Sequence, residues 1–316
     1  MIISVSRRTD IPKLYSDWFF HRLKAGYVYV RNPMNFRQVS KITLNRDVVD
    51  CFVFWSKDPA PMIDKLPYLE EGGYPYYFQF TLTPYGNEME INLRNKKEII
   101  RTFIELSEKI GAHRVIWRYD PIILNDRYTN NYHIEQFKEM CQQLCGYTYV
   151  CEISFVDIYS KLKKITSQGI IRTITDNEMF DITKAFVEIA REYNIQIKVC
   201  CEEKLTAELK IPKANCIDQE LIEKIIDSKL KPAKISGQRL GCGCLGSIDI
   251  GLYNTCNNGC KYCYANISIG TANENYLKHN PMSELLIGEI SIEDKITERK
   301  INSYKIFGHT KRVTNK

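Results

Sequence analysis

Short runs of β-branched and aromatic residues alternate along the chain with longer stretches in which apolar positions recur every three or four residues. The runs cover residues 2–6, 27–30, 48–55, 76–81, 114–119, 150–156 and 195–200. Most are apolar nearly throughout rather than at every second position, as strands of a parallel sheet are when both faces are covered. Between the runs the period becomes helical. Asn95 followed by Glu98 reads as a capping box, Ile99, Ile100, Phe103, Ile104 and Ile110 share one stripe, and Gly111 supplies a stop. Ile134, Phe137, Cys141 and Leu144 make a second stripe, closed by Gly146. Thr175 and Glu178 cap a third, which turns Met179, Ile182, Phe186 and Ile189 inward. Residues 12–24 and 220–228 also read as helices. This βαβα order predicts an α/β fold, a (β/α) barrel, complete or partial and TIM-barrel-like, with an eighth strand in 247–252. An open doubly wound sheet is the alternative. The expected division is a barrel domain over 1–240 and a cysteine-rich segment over 241–316, whose last stretch, from about residue 290, is a polar, weakly ordered extension.

In a barrel, chemistry gathers at the C-terminal ends of the strands, and here those ends are polar. The first runs into Ser6-Arg7-Arg8-Thr9-Asp10, the second into Arg31-Asn32-Pro33, and the third into Trp55-Ser56-Lys57-Asp58. The fourth carries Gln79, Thr81, Thr83 and Tyr85, and the fifth ends Arg118-Tyr119-Asp120. The sixth carries Ser154 and Asp157, and the seventh ends Cys200-Cys201-Glu202. Collected on one rim, these residues make an Arg/Lys-rich pocket with matching carboxylates, suited to a small anionic substrate because guanidinium groups bind carboxylate or phosphate through paired hydrogen bonds. Arg7, Arg8, Lys57, Arg118 and Asp120 are the candidate catalytic residues. Structural ion pairs and turn caps are the competing explanation for each. No Ser/His/Asp signature accompanies them, and His21 falls inside a predicted helix.

Charge changes this picture little. A formal +6 over 316 residues, with the basic residues spread along the chain, permits a phosphate-bearing partner without demanding one. The aromatic-basic run Tyr27-Val28-Tyr29-Val30-Arg31 would suit single-stranded nucleic acid, but tyrosines are also ordinary strand residues, and that reading is the favoured one. No stretch is apolar for long enough to span a bilayer, and the N-terminus lacks the pattern of a signal peptide. A cytoplasmic protein is expected, in which twelve cysteines are not structural disulfides.

Cysteine spacing is the sharpest signal. Cys256, Cys260 and Cys263 follow C-x3-C-x2-C, which lets three thiolates of one short loop each take an iron of a 4Fe–4S cubane and leaves the fourth iron open to a small molecule. A structural zinc site asks for four closed ligands, usually in C-x2-C pairs. A second set, Cys201, Cys216, Cys242 and Cys244, includes a pair in the glycine-rich stretch GQRLGCGCLG. It offers either an auxiliary cluster or a four-cysteine zinc site, with dispersed, unligated cysteines as a further alternative. Cys200 is expected on the opposite strand face from Cys201. Cys51, Cys141, Cys145 and Cys151 are expected to pack as small hydrophobes.

The loop resembles that of the radical S-adenosylmethionine superfamily, whose motif is C-x3-C-x-aromatic-C, with Tyr262 in the aromatic place. GCKYCYA also resembles the cluster loop of spore photoproduct lyase. Over its whole length the chain is similar to an uncharacterised bacterial family, the DUF1848 proteins, on the segments ISVSRRTDIP, FVFWSKDP, FQFTLTPYG, VIWRYDPI and GCKYCYAN. In the superfamily the loop follows the first strand. Here it follows all the predicted ones, and the Gly-Gly-Glu motif is missing; Glu71-Gly72-Gly73 has the same residues in the wrong order, on a predicted turn. The resemblance implies a 4Fe–4S cluster that donates an electron to S-adenosylmethionine, the resulting carbon radical abstracting hydrogen from the substrate. It also implies an electron donor such as a ferredoxin or flavodoxin. Tyr262 and Asp157 are the candidate cofactor contacts. A non-enzymatic electron carrier or redox sensor, and a nucleic-acid modification or repair lyase, are the alternatives.

Overall fold

Ten strands form among the residues that the computed structural model describes, which are 1–158, 162–231, 241–300 and 302–306. They are β1 (Ile2–Val5), β2 (Tyr27–Asn32), β3 (Asn35–Thr43), β4 (Cys51–Ser56), β5 (Tyr76–Thr81), β6 (Val115–Ile122), β7 (Val150–Phe155), β8 (Gln196–Val199), β9 (Ser247–Asp249) and β10 (Lys295–Glu298). Seven build the main sheet in the order β8-β7-β6-β5-β4-β1-β9. Every pairing in it is parallel.

The helices begin where the local chemistry places them. Asn95 accepts from the Glu98 amide at the start of Lys96–Ile110, and Gly111 ends that helix at φ +91. Thr129 caps Asn130–Leu144, which stops at Cys145, one residue before the expected Gly146. Thr175 and Glu178 form a reciprocal capping box on Asp176–Glu192. Tyr15 divides the stretch read as one helix over 12–24 into Ile11–Leu14 and Ser16–Ala25. The helices bury their apolar stripes on one face of the sheet, against Ile3, Val5, Phe52, Phe54, Phe78, Phe80, Val115 and Trp117. Phe137 stacks on Phe186 with ring centroids 3.8 Å apart, joining two of these helices. Truncating either ring would cost about 3–5 kcal/mol.

The other face carries Ile2, Cys51, Val53, Tyr77 and Ile116, covered by Ile217, Ile222 and Leu245. Burial of both faces explains the near-continuous apolar runs. Two residues further along each strand, this second face turns polar, with Ser4, Trp55, Gln79, Arg118 and Glu152. Period-2 alternation therefore aims the polar strand ends to one side of the sheet.

The barrel expectation is overturned. Among the described residues β8 and β9 are the two edges of the sheet and do not pair with each other, so it stays open. One strand assigned to the barrel lies elsewhere: β2 forms an antiparallel hairpin with β3, and β10 pairs with β3 to complete a separate three-stranded sheet. Arg31 is consequently not on the polar rim. Its guanidinium grips both carboxylate oxygens of Asp294, at 2.5 and 2.8 Å. β10 also gives regular structure to part of the stretch read as an extension, while residues 307–316 lie outside the described ones. Residues 232–240, up to the expected domain boundary, do too, including the first part of GQRLGCGCLG.

Candidate functional site

Asp249 on β9 braces the end of β1. It accepts from Ser4 Oγ at 2.8 Å, from Ser6 Oγ at 2.5 Å and from the Arg7 amide at 2.8 Å. Gly251 follows so closely that a Cβ there would stand 2.1 Å from Ser6 Oγ. This contact brings the chain leading to Cys256 across the C-terminal ends of the strands.

A second brace fixes the cysteine loop itself. Asp10 accepts from Ser56 Oγ (2.7 Å), the Lys57 amide (2.9 Å) and Asn258 Nδ2 (3.0 Å). Lys13 Nζ donates to Asn258 Oδ1 at 2.7 Å. Glu90, fully buried, accepts from Lys57 Nζ at 2.7 Å, Thr83 Oγ1 at 2.9 Å, the Tyr262 hydroxyl and Lys96 Nζ. Burial opposes its charge, but the two ammonium groups outweigh it and hold the Glu90 carboxyl at about 2. Backbone bonds from Asn92 to Asn258 and from Lys261 to Met89 tie the loop down on both sides of Cys260.

The result is one cavity of about 470 Å3, and every predicted site residue lines it. Arg7, Arg8, Lys57, Arg118, Asp120, Asp157 and Tyr262 are there. So are Cys256, Cys260 and Cys263 from the loop, and Cys201, Cys216, Cys242 and Cys244 from the second set. The cationic residues are partnered to different degrees. Lys57 is paired with Glu90 and stands 5.5 Å above the Tyr262 ring. Arg118 donates to Glu152 at 3.0 Å, to Cys216 Sγ at 2.8 Å and to Asp120. Burial works against its charge, yet Cys216, Asp120 and Glu152 together hold its pKa well above the ordinary value. Arg8 donates to the Gly251 carbonyl at 3.3 Å and lies over Tyr253. The Nη2 atom of Arg7 is buried with no hydrogen-bond partner.

Burial pushes the Cys256 thiol up to about 12, helped by Asp10 and Cys263. It also raises Cys260 well above the usual range, against the pull of Lys57. The Ala265 amide donates to Cys263 Sγ at 3.3 Å. Among the described residues no three His, Cys, Asp or Glu side chains are grouped as ligands of a single metal ion. A cubane asks for something else, since each thiolate binds its own iron. Three thiols lining one cavity, with an amide donor to Cys263 and a lysine beside Cys260, suit that donor set.

Several participants escaped sequence reasoning. Cys200 also lines the cavity, against expectation, with its Sγ 3.7 Å from that of Cys201. The register pairs Glu152 with Lys198, which sets Cys200 on the cavity face. Cys201 then turns back because its φ of +59 breaks the strand alternation. Two guanidinium groups lie over the Trp55 ring, that of Arg7 at 5.0 Å and that of Arg118 at 5.1 Å; its only signal was its place at the end of a strand. Glu90 and Asn258 carried no signal, because their partners are distant in sequence. Of the cysteines expected to pack, Cys51, Cys141 and Cys151 are buried, but Cys145 is exposed, at the end of its helix.

The fold and site thus define an open parallel α/β protein with a cysteine-walled, arginine-lined cleft at the strand ends. The chain belongs to the DUF1848 family, a domain of unknown function, whose model matches residues 2–265, from β1 through the cysteine loop. No curated protein and no solved structure matches it. No helix among the described residues is long and apolar enough to cross a membrane.

Proposed function

We propose that the protein is an iron–sulfur enzyme of radical S-adenosylmethionine-like type, acting on a small anionic substrate in the cleft. One observation carries this reading: the thiols of Cys256, Cys260 and Cys263 face the same cavity as Arg7, Arg8, Lys57 and Arg118. Cys256, Cys260 and Cys263 would hold the 4Fe–4S cluster, which supplies one-electron chemistry at an iron without a protein ligand. The chain's own residues orient and shield. Tyr262 and Glu90 hold the loop against the sheet, and Trp55 and Tyr264 wall the cavity. The Arg7 guanidinium keeps a donor for an oxyanion, while Asp120 and Asp157 offer acceptors for hydroxyl or amino groups. An electron donor such as a ferredoxin or flavodoxin is the expected protein partner, and the cytoplasm the expected compartment.

The test is anaerobic purification and reconstitution with iron and sulfide, followed by low-temperature electron paramagnetic resonance of the reduced protein with and without S-adenosylmethionine. A signal that shifts on addition of S-adenosylmethionine supports the reading. An unshifted signal turns it toward electron transfer or redox sensing, and no signal removes the cluster from Cys256, Cys260 and Cys263.

A further inference from the structure

Cys200, Cys201, Cys216, Cys242 and Cys244 come from three stretches of chain and line the same cavity. Cys200 Sγ lies 3.7 Å from Cys201 Sγ. Thiols are weak donors and weak acceptors, and such a contact adds little to stability. The surrounding chain nevertheless holds them closely. The Cys216 carbonyl accepts from two buried side chains of β5, Tyr77 Oη at 2.8 Å and Gln79 Nε2 at 3.0 Å. Leu245 donates to the Ile217 carbonyl at 3.0 Å, one residue beyond Cys244 and Cys216. Gly243, between the paired cysteines, sits where a Cβ would stand 2.2 Å from Asn215 Oδ1, so the two stretches approach closely there. Finally, a guanidinium N–H of Arg118 is directed at Cys216 Sγ from 2.8 Å. A thiolate is the form of sulfur that such a charged donor suits.

We propose that thiols drawn from Cys200, Cys201, Cys216, Cys242 and Cys244 form a second thiolate-bound metal centre, separate from that of Cys256, Cys260 and Cys263. Its occupant is a thiophilic metal, either an iron–sulfur cluster or a zinc ion, since thiolate donors select these. On binding, metal–sulfur bonds replace the S–H bonds and the thiol protons leave to solvent, with no change in the oxidation state of sulfur. Among the described residues no three of these thiols are grouped around one ion, so the metal also draws them together. Arg118 remains as an outer contact that orients Cys216 and offsets the negative charge of the thiolates.

The experiment uses the full chain and two variants, Cys256→Ala/Cys260→Ala/Cys263→Ala and the same chain with Cys216→Ser/Cys244→Ser added. Each is prepared anaerobically and exposed in one arm to ferrous iron with sulfide, in the other to zinc, and metal and sulfide are counted per chain. Circular dichroism checks folding. The triple variant is expected to keep metal, and to lose it when Cys216 and Cys244 are replaced; iron with sulfide marks a cluster, zinc alone a four-thiolate zinc site. A folded triple variant that holds no metal in either arm, or holds it regardless of Cys216 and Cys244, overturns the proposal. If the triple variant does not fold, wild type against Cys216→Ser/Cys244→Ser decides, by a loss of metal or none. Equal metal in wild type and the triple variant would instead remove the first centre and leave this one standing.

Discussion

Asn258 donates from its side-chain amide to Asp10 Oδ2 at 3.0 Å, joining the cysteine loop to the end of β1 across 248 positions of sequence. Asp10 also accepts from Ser56, from the Lys57 amide and, as a helix cap, from the Lys13 amide. One buried carboxylate therefore sets two strand ends, a helix start and the loop. Asp10→Ala is expected to destabilise the fold by about 3 kcal/mol, because several buried donors lose their acceptor together. Asn258→Ala should cost less, about 1 kcal/mol, while still loosening the loop. Urea unfolding measures both, and iron retained after reconstitution reports the loop. Equal stability of Asp10→Ala and wild type would refute the bracing role.

Glu90 is the counterion of two half-buried lysines, Lys57 and Lys96. Glu90→Gln should destabilise by about 3–5 kcal/mol, since breaking a buried ion group leaves uncompensated charge. Lys57→Met should cost less than Glu90→Gln, as Lys96 continues to pair with the carboxylate. A denaturant series on the two variants gives this order, and the reverse order would show that Lys57 rather than Glu90 organises the group.

Gly251 is expected to be intolerant of a side chain although its backbone is ordinary. The added Cβ would press on Ser6 Oγ at 2.1 Å and on Thr9 Cγ2 at 3.1 Å. Gly251→Ala should therefore destabilise by about 1–3 kcal/mol, the range for overpacking. Ser6→Gly in the same chain removes the obstructing group and should recover part of the loss in thermal unfolding.

His133 predicts a pH dependence that lies away from the cysteines. It is fully buried, with Tyr119 Oη 2.8 Å from Nδ1 and the Ile123 carbonyl 2.8 Å from Nε2. That arrangement suits the neutral ring with its proton on Nε2, donating to the carbonyl and accepting the tyrosine proton. Burial lowers its pKa to about 4 from an ordinary 6.5. The unfolded chain binds the proton more readily, so this contribution is complete above about pH 6.5 and is lost as pH falls from there through about 4. The loss amounts to about 3 kcal/mol. His133→Gln should be less stable at neutral pH and show a flatter decline between pH 6.5 and 4, as read from urea unfolding at a series of pH values.

Strands and helices were legible in the chain because each reports its own burial locally. Runs apolar on both sides mark strands covered on both faces, and Asn95, Thr175 and Glu178 cap the helices that their spacing announced. The cysteine loop was legible for the same reason, since its three thiols lie within eight positions of one another. The polar strand ends were legible as a set, and all but the β2 end at Arg31 contribute residues to the cavity.

Closure, register and partners were decided by the tertiary structure. Whether a parallel sheet closes depends on whether its first and last strands pair, a contact between β8 and β9 that no local pattern encodes. Nor could the run at 27–30 show that it would pair with β3 rather than join the main sheet, since a strand's own residues do not name its neighbour. Register with β7 placed Cys200 on the cavity face, and one left-handed residue placed Cys201 beside it. Charge pairing depended on contacts of the same kind: Arg31 belongs to Asp294, and Lys57 to Glu90. Burial is written residue by residue along the chain, but pairing is a relation between distant residues, and only the folded chain brings them within reach.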